Sequence, residues 1–134
     1  MAGRISRYLG IDYGKSKVGL SLAENETKIS FAYGTLENNK DFFSCLMEII
    51  KKEKIDKVII GIPSYINRDE VEYDGEKLGD YLRNIMKIDV EYHNEMFTTR
   101  MAQEKLKEKG MKNIKKLDDQ EAARIILQSW LDKD

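Results

Sequence analysis

Cysteine and histidine are almost missing from this chain: Cys45 and His93 are the only ones among 134 residues. A lone cysteine excludes an internal disulfide and fits a reducing compartment. One cysteine with one histidine also excludes zinc sites of the finger or ribbon kind, so any metal must be held by oxygen. No apolar run reaches the ~20 residues needed to cross a bilayer. The opening MAGRISRYLG lacks the apolar centre of a signal peptide. A cytoplasmic protein without membrane contact is therefore expected. Proline occurs once, at Pro63, and no repeat, low-complexity tract or linker divides the sequence. Residues 1–134 are accordingly expected to form one domain. An excess of either charge is lacking too. The 23 Lys and Arg residues nearly balance 24 Asp and Glu, for a net charge of −1, so bulk charge does not mark a polyanion binder.

What is present is enough apolar residue, 41%, to fill one core. Residues 5–12, 17–23 and 30–36 read as three successive strands, the first two joined by a short turn containing Gly14. The period then changes. Phe42, Phe43, Leu46, Ile49 and Ile50 follow the stripe of a helix. KVIIGIP, residues 57–63, is a continuous apolar run closed by proline, as in a parallel strand buried on both faces. Leu78, Leu82, Ile85 and Met86 mark a second helix, IDVEYH another strand, and two helices follow, over 98–109 and 119–132. The order β-β-β-α-β-α-β-α-α predicts an α/β fold. Its mixed five-stranded sheet joins a three-strand antiparallel meander to two parallel strands, with helices on its faces.

Three carboxylates stand out by location. Asp12 ends the first strand, Glu95 follows IDVEYH, and Asp118 and Asp119 open the last helix. Helical phase separates the last two. Steps of 3.6 residues from Asp119 reach Ala122/Ala123, Ile126 and Trp130, so Asp119 shares the core-facing stripe. Asp118 suits the N-cap, with Glu121 completing a capping-box pattern. A core-facing carboxylate is costly unless it is paired, protonated or bound to a cation. Converging oxygen-only ligands describe a Mg²⁺ or Mn²⁺ site, and such clusters activate water and stabilise the leaving oxygen in phosphodiester cleavage. Taken singly, each residue has a plainer reading. Asp12 suits a turn beside Gly14, Glu95 a solvated strand end, and Asp119 a first-turn charge favoured by the helix dipole.

Other features are compatible with a polyanion partner, the lysine-rich run reading equally as a solvated helix end and loop. Lys15 and Lys17 follow Asp12 directly, and KLKEKGMKNIKK, residues 105–116, holds six lysines against one glutamate. Lys112, Lys115 and Lys116 lie between the helix after Glu95 and the helix that carries Asp119, within reach of a phosphate backbone. Thr98 and Thr99 offer a helix N-cap, and the N–H groups beyond Thr99 can receive a phosphate. Tyr13 is either a structural residue or a platform for a base. His93, with no nucleophile motif around it, reads as a packing or surface residue.

As a set, these motifs resemble the pre-16S rRNA nuclease family, the Holliday-junction-resolvase-like YqgF group of the RNase H-like superfamily. LGIDYGKSKVGLSLAE is similar to its opening signature, VIIGIP to its central strand, HNEMFTTRMAQEKL to its Asp-Glu-Arg segment and following helix, and DQEAARIILQSWLD to its final helix. The resemblance covers nearly the whole chain in order. It implies a catalytic and metal-binding triad of Asp12, Glu95 and Asp119, and Mg²⁺-dependent endonuclease action on structured nucleic acid, with maturation of the pre-16S rRNA 5′ end as its expected role. The chain departs from the family pattern at Lys17, Asn94 and Met96, where the resemblance implies arginine, aspartate and arginine. Two alternatives stay open: a Holliday-junction resolvase acting on branched DNA, or a nucleic-acid-binding relative with weakened catalysis. Either a monomer or a homodimer is compatible with the sequence. An actin-like ATPase, whose phosphate loop also opens on Gly-x-Asp-x-Gly, would need two domains.

Overall fold

The computed structural model describes residues 5–62, 74–94 and 118–133. Its elements are β1 (Arg7–Tyr13), β2 (Lys17–Glu24), β3 (Phe31–Glu37), α1 (Phe42–Lys52), β4 (Lys57–Ile62), α2 (Asp74–Ile85), β5 (Asp89–Asn94) and, last, α3 (Asp119–Asp132). The strands form one sheet in the order β3-β2-β1-β4-β5. β1 pairs antiparallel with β2, and β2 with β3, while β4 lies parallel to both β1 and β5. This is the predicted mixed sheet. The expected helix over 98–109 lies outside the described residues.

The two faces follow from the period of two along each strand. Leu9 and Ile11 of β1, Val18 and Leu20 of β2, and Val58, Ile60 and Ile62 of β4 point into one core with Phe42, Leu46 and Ile50 of α1 and Leu78 and Leu82 of α2. The alternate residues face α3, where Ala23, Ile59, Ile126, Leu127 and Trp130 form a second, smaller core with Tyr8 beside it. Burial on both faces explains why β4 is a continuous apolar run. Helical periodicity over-reaches at one position: Ile85, expected on the buried stripe of α2, is the helix's last residue and is 62% exposed.

α3 comes unusually close to the sheet because the residues beneath it are small. A Cβ on Gly10 would sit 2.8 Å from Leu127 Cβ. Ser21 donates its hydroxyl to the Ala123 carbonyl at 2.8 Å, a contact only possible where helix backbone and strand nearly touch.

Candidate active site

β1, β4 and β5 run parallel, so their C-terminal ends share one edge of the sheet, the edge where open α/β sheets place their ligands. A row of cross-strand partners runs along that edge: Thr35, Gly19, Asp12, Gly61 and His93. Asp12 is two residues on from Gly10, which faces α3, so the row faces α3 as well. Asp12 is thus flanked in register by two glycines. It lies inside β1, paired with Gly19, and is not a turn residue. In the turn after it, the Asn38 side chain donates to the Gly14 carbonyl at 2.8 Å.

The start of α3 lies on Gly19. A Cβ there would come within 3.0 Å of the Asp119 carbonyl group and the Gln120 amide nitrogen. Asp119, half-buried, therefore stands over the strand position next to Asp12. Around this point opens a cleft of about 700 Å³, lined by the turn that carries Lys15, by Lys17 at the start of β2, and by Thr35, Asp118, Asp119 and Gln120. Lys15 and Lys17 are exposed on its wall. Thr35 Oγ1 donates to Gln120 Oε1 across the rim at 3.3 Å. Neither residue carries a recognisable signal in the sequence, since strand register alone puts Thr35 beside Gly19.

One local expectation changes, and one open reading is decided. Asp118 is the N-cap of α3 by position, but its side chain makes no cap hydrogen bond. The capping box does not close, because the Glu121 carboxylate pairs with the Arg124 guanidinium one turn along. Tyr13 is no base platform at the cleft either. Its ring packs edge-on against Phe42, 5.8 Å between centroids, on the face opposite α3.

Glu95, Thr99, Lys112, Lys115 and Lys116 lie outside the described residues, and among the described residues no group of three or more His, Cys, Asp and Glu side chains gathers to hold a metal. Asp119 lines the cleft and Asp12 holds the neighbouring strand position; their side chains carry only hard carboxylate oxygens, a donor type suited to Mg²⁺ or Mn²⁺ rather than zinc.

The model of the RuvX Holliday junction resolvase family matches residues 6–133. The chain belongs to this family. Two relatives, from Maridesulfovibrio salexigens and Caldanaerobacter subterraneus subsp. tengcongensis, are each 32% identical to it. The alignments cover 93% and 94% of this chain and 97% and 96% of theirs. Both relatives are named pre-16S rRNA nuclease, as is a Bacteroides fragilis protein 29% identical over 96% of this chain and 97% of its own length. Among solved structures, Thermus thermophilus RuvC in complex with a Holliday junction substrate superposes with a TM-score of 0.58 at 16% identity, over 94% of this chain and 93% of that one. At that identity the likeness concerns the fold, which is the RNase H-like fold of RuvC.

The far end of α3 is held by a charged cluster on β5. Glu91 accepts hydrogen bonds from Lys133 at 3.0 Å and Lys57 at 3.2 Å. Both ammonium groups also lie over the Trp130 ring, at 4.7 and 5.5 Å from its centroid. Burial raises the pKa of Glu91. The hydrogen bonds outweigh it, the one from Lys133 first, and the value falls from 4.5 to about 2. The buried Trp130 indole nitrogen stands beside this carboxylate without closing a hydrogen bond of its own. A depressed carboxylate pKa contributes stability that is present above pH 4.5 and lost as pH falls from there toward 2. Glu91→Gln is expected to remove that part of the slope, so wild type and variant converge in stability at the acid end. Denaturant midpoints measured across pH 2 to 6 check this, and a constant difference between the two proteins would count against it.

His93 stands in the Asp12 row, and its Nε2 lies 2.9 Å from Ser129 Oγ on α3. Burial lowers its pKa, as does the Lys133 charge, with Glu91 opposing. Its sequence reading as a packing or surface residue gains a specific partner here, a polar link between β5 and α3.

Proposed function

We propose that the chain is a metal-dependent endonuclease that hydrolyses phosphodiester bonds of structured nucleic acid, and that it processes the 5′ end of pre-16S rRNA in the cytoplasm as a single domain spanning residues 1–134. The observation that carries this reading is the seating of Asp119 on Gly19, directly beside Asp12, in a cleft whose wall carries Lys15 and Lys17. Asp12 and Asp119, with Glu95 from the chain just past β5, would hold Mg²⁺ or Mn²⁺. When bound, the ion supplies charge neutralisation at the scissile phosphate and activation of the attacking water.

The protein's own share is placement and grip. Asp12 sits on a central strand paired on both sides, which fixes its backbone in the sheet. Lys15 and Lys17 offer cations to the phosphates flanking the cleft, and Thr99, Lys112, Lys115 and Lys116 extend that grip along the backbone. The names of the relatives favour rRNA as the substrate. The family description, with the junction bound to RuvC, favours a second reading, resolution of branched DNA. No helix of the described residues is long and apolar enough to cross a membrane.

A precursor RNA spanning the 16S 5′ end and a four-way DNA junction, offered side by side with Mg²⁺ or Mn²⁺, test the proposal. Cleavage of the RNA alone is expected. Cleavage of the junction alone supports resolution instead. Binding of either without cleavage, at any metal concentration, makes the chain a binding protein and ends the nuclease reading.

A further inference from the structure

Specific polar contacts lie along both flanks of α3. On the β5 flank, Ser129 meets His93 at 2.9 Å, and Lys133, one turn on, meets Glu91 at 3.0 Å. On the opposite flank, Gln120, Arg124 and Gln128 recur every four residues. Gln120 accepts from Thr35, the Arg124 carbonyl accepts from Ser30 Oγ at 2.7 Å, and Gln128 bonds both the Ser30 amide and the Lys28 carbonyl. Between the flanks runs the apolar stripe, narrow near Asp119, where it consists of Ala122 and Ala123. Apolar contact is non-directional and fixes how close a helix lies better than how far it is rolled about its axis. Directional contacts on both sides fix the roll.

We propose that His93 and Ser129 are positioning residues: their hydrogen bond sets the roll of α3 on the sheet and so aims the Asp119 carboxylate at the Asp12 row. The proposal rests on the nuclease reading above. The link is referenced to the site itself, because His93 is in register with Asp12 through Gly61. Ser129 is ten residues from Asp119, roughly 15 Å along a helix that turns as a unit. A carboxylate carried about 5–6 Å from the axis moves about 1 Å for a roll of about 10°. A misplacement of that size at a reacting centre costs up to about 10²-fold in rate. The opposite flank holds the helix too, through buried Ser30 and through Thr35 of the Asp12 row, but of the two edge strands it is β5 whose chain continues directly to Glu95.

The test uses the full chain in four variants, Ser129→Ala, Ser129→Thr, His93→Leu and His93→Gln. Single-turnover cleavage of the precursor RNA is read alongside Mn²⁺ titrations followed by thermal shift. Ser129→Ala and His93→Leu are expected to lower kcat about tenfold or more with KM within about twofold, and to move the Mn²⁺ midpoint upward. Ser129→Thr and His93→Gln, which keep a hydrogen-bonding group at similar reach, are expected to recover most of both. If the bond is merely structural, Ser129→Ala lowers the melting temperature but leaves kcat and the Mn²⁺ midpoint at wild-type values well below it, and the proposal is overturned. Should His93→Leu not fold, Ser129→Ala decides alone. Should the wild type cleave neither RNA nor junction, the nuclease reading fails, and the Mn²⁺ midpoints still decide the positioning role. A wild type with no Mn²⁺ response overturns both.

Discussion

Asp119→Asn is expected to abolish cleavage while the protein stays folded, and Asp118→Asn to leave activity within a few-fold of wild type. The two residues are adjacent aspartates, and both border the cleft. What separates them is placement. Asp119 is half-buried with its backbone seated on Gly19 next to Asp12, whereas Asp118 is exposed and its carboxylate makes no cap hydrogen bond. Asparagine at 119 keeps the shape and removes the charge that a hard cation needs. At 118 it keeps a side chain equally able to cap. Asp12→Asn should match Asp119→Asn. Single-turnover assays with Mg²⁺ read the difference, with circular dichroism to confirm folding. The reverse pattern, loss at 118 and survival at 119, would move the site one residue and refute the helical-phase argument.

Gly19→Ala is expected to damage stability and activity together. A Cβ at this position would fall within 3.0 Å of the backbone of Asp119 and Gln120. Backbone cannot rotate away as a side-chain tip can, so the start of α3 must lift. Overpacking of this kind costs about 1–3 kcal/mol, enough to lower the melting temperature by several degrees. A shift of about 1 Å at Asp119 would cost up to about 10²-fold in rate. Gly34→Ala, on the neighbouring strand, is the control: nothing lies within 4 Å of the Cβ it would add, so stability and cleavage should hold. A Gly19→Ala protein with wild-type activity would show that Asp119 does not need this close seat.

How much of this was legible without coordinates differs from element to element. β1, β2, β3, β4 and β5 are readable because period-two alternation and unbroken apolar runs are local properties, set by whether one or both faces of a strand are buried. The phase of α3 is readable for the same reason, and it places Asp119 rather than Asp118 toward the sheet. Phase did less well where the neighbours thin out. Ile85 fits the α2 stripe on paper, yet it ends the helix and is left mostly exposed.

Partner choice was not legible. Asp118 and Glu121 have the spacing of a capping box, but Arg124 is one turn away and an ion pair there competes successfully for Glu121. Tyr13 is beside Asp12 in sequence and on the opposite side of the sheet in space, because successive residues of a strand face opposite ways. His93 and Ser129 are 36 residues apart. Thr35 reaches Gln120 across 85. The sequence by itself therefore determined the elements, their order, the lack of thiolate or imidazole clusters for a metal, and the acidic and basic residues available for chemistry. Only the tertiary structure decided which of them meet. Strand register across β3-β2-β1-β4-β5 and the approach of α3 over Gly19 are non-local, and they convert residues scattered along the chain into one row beneath one helix.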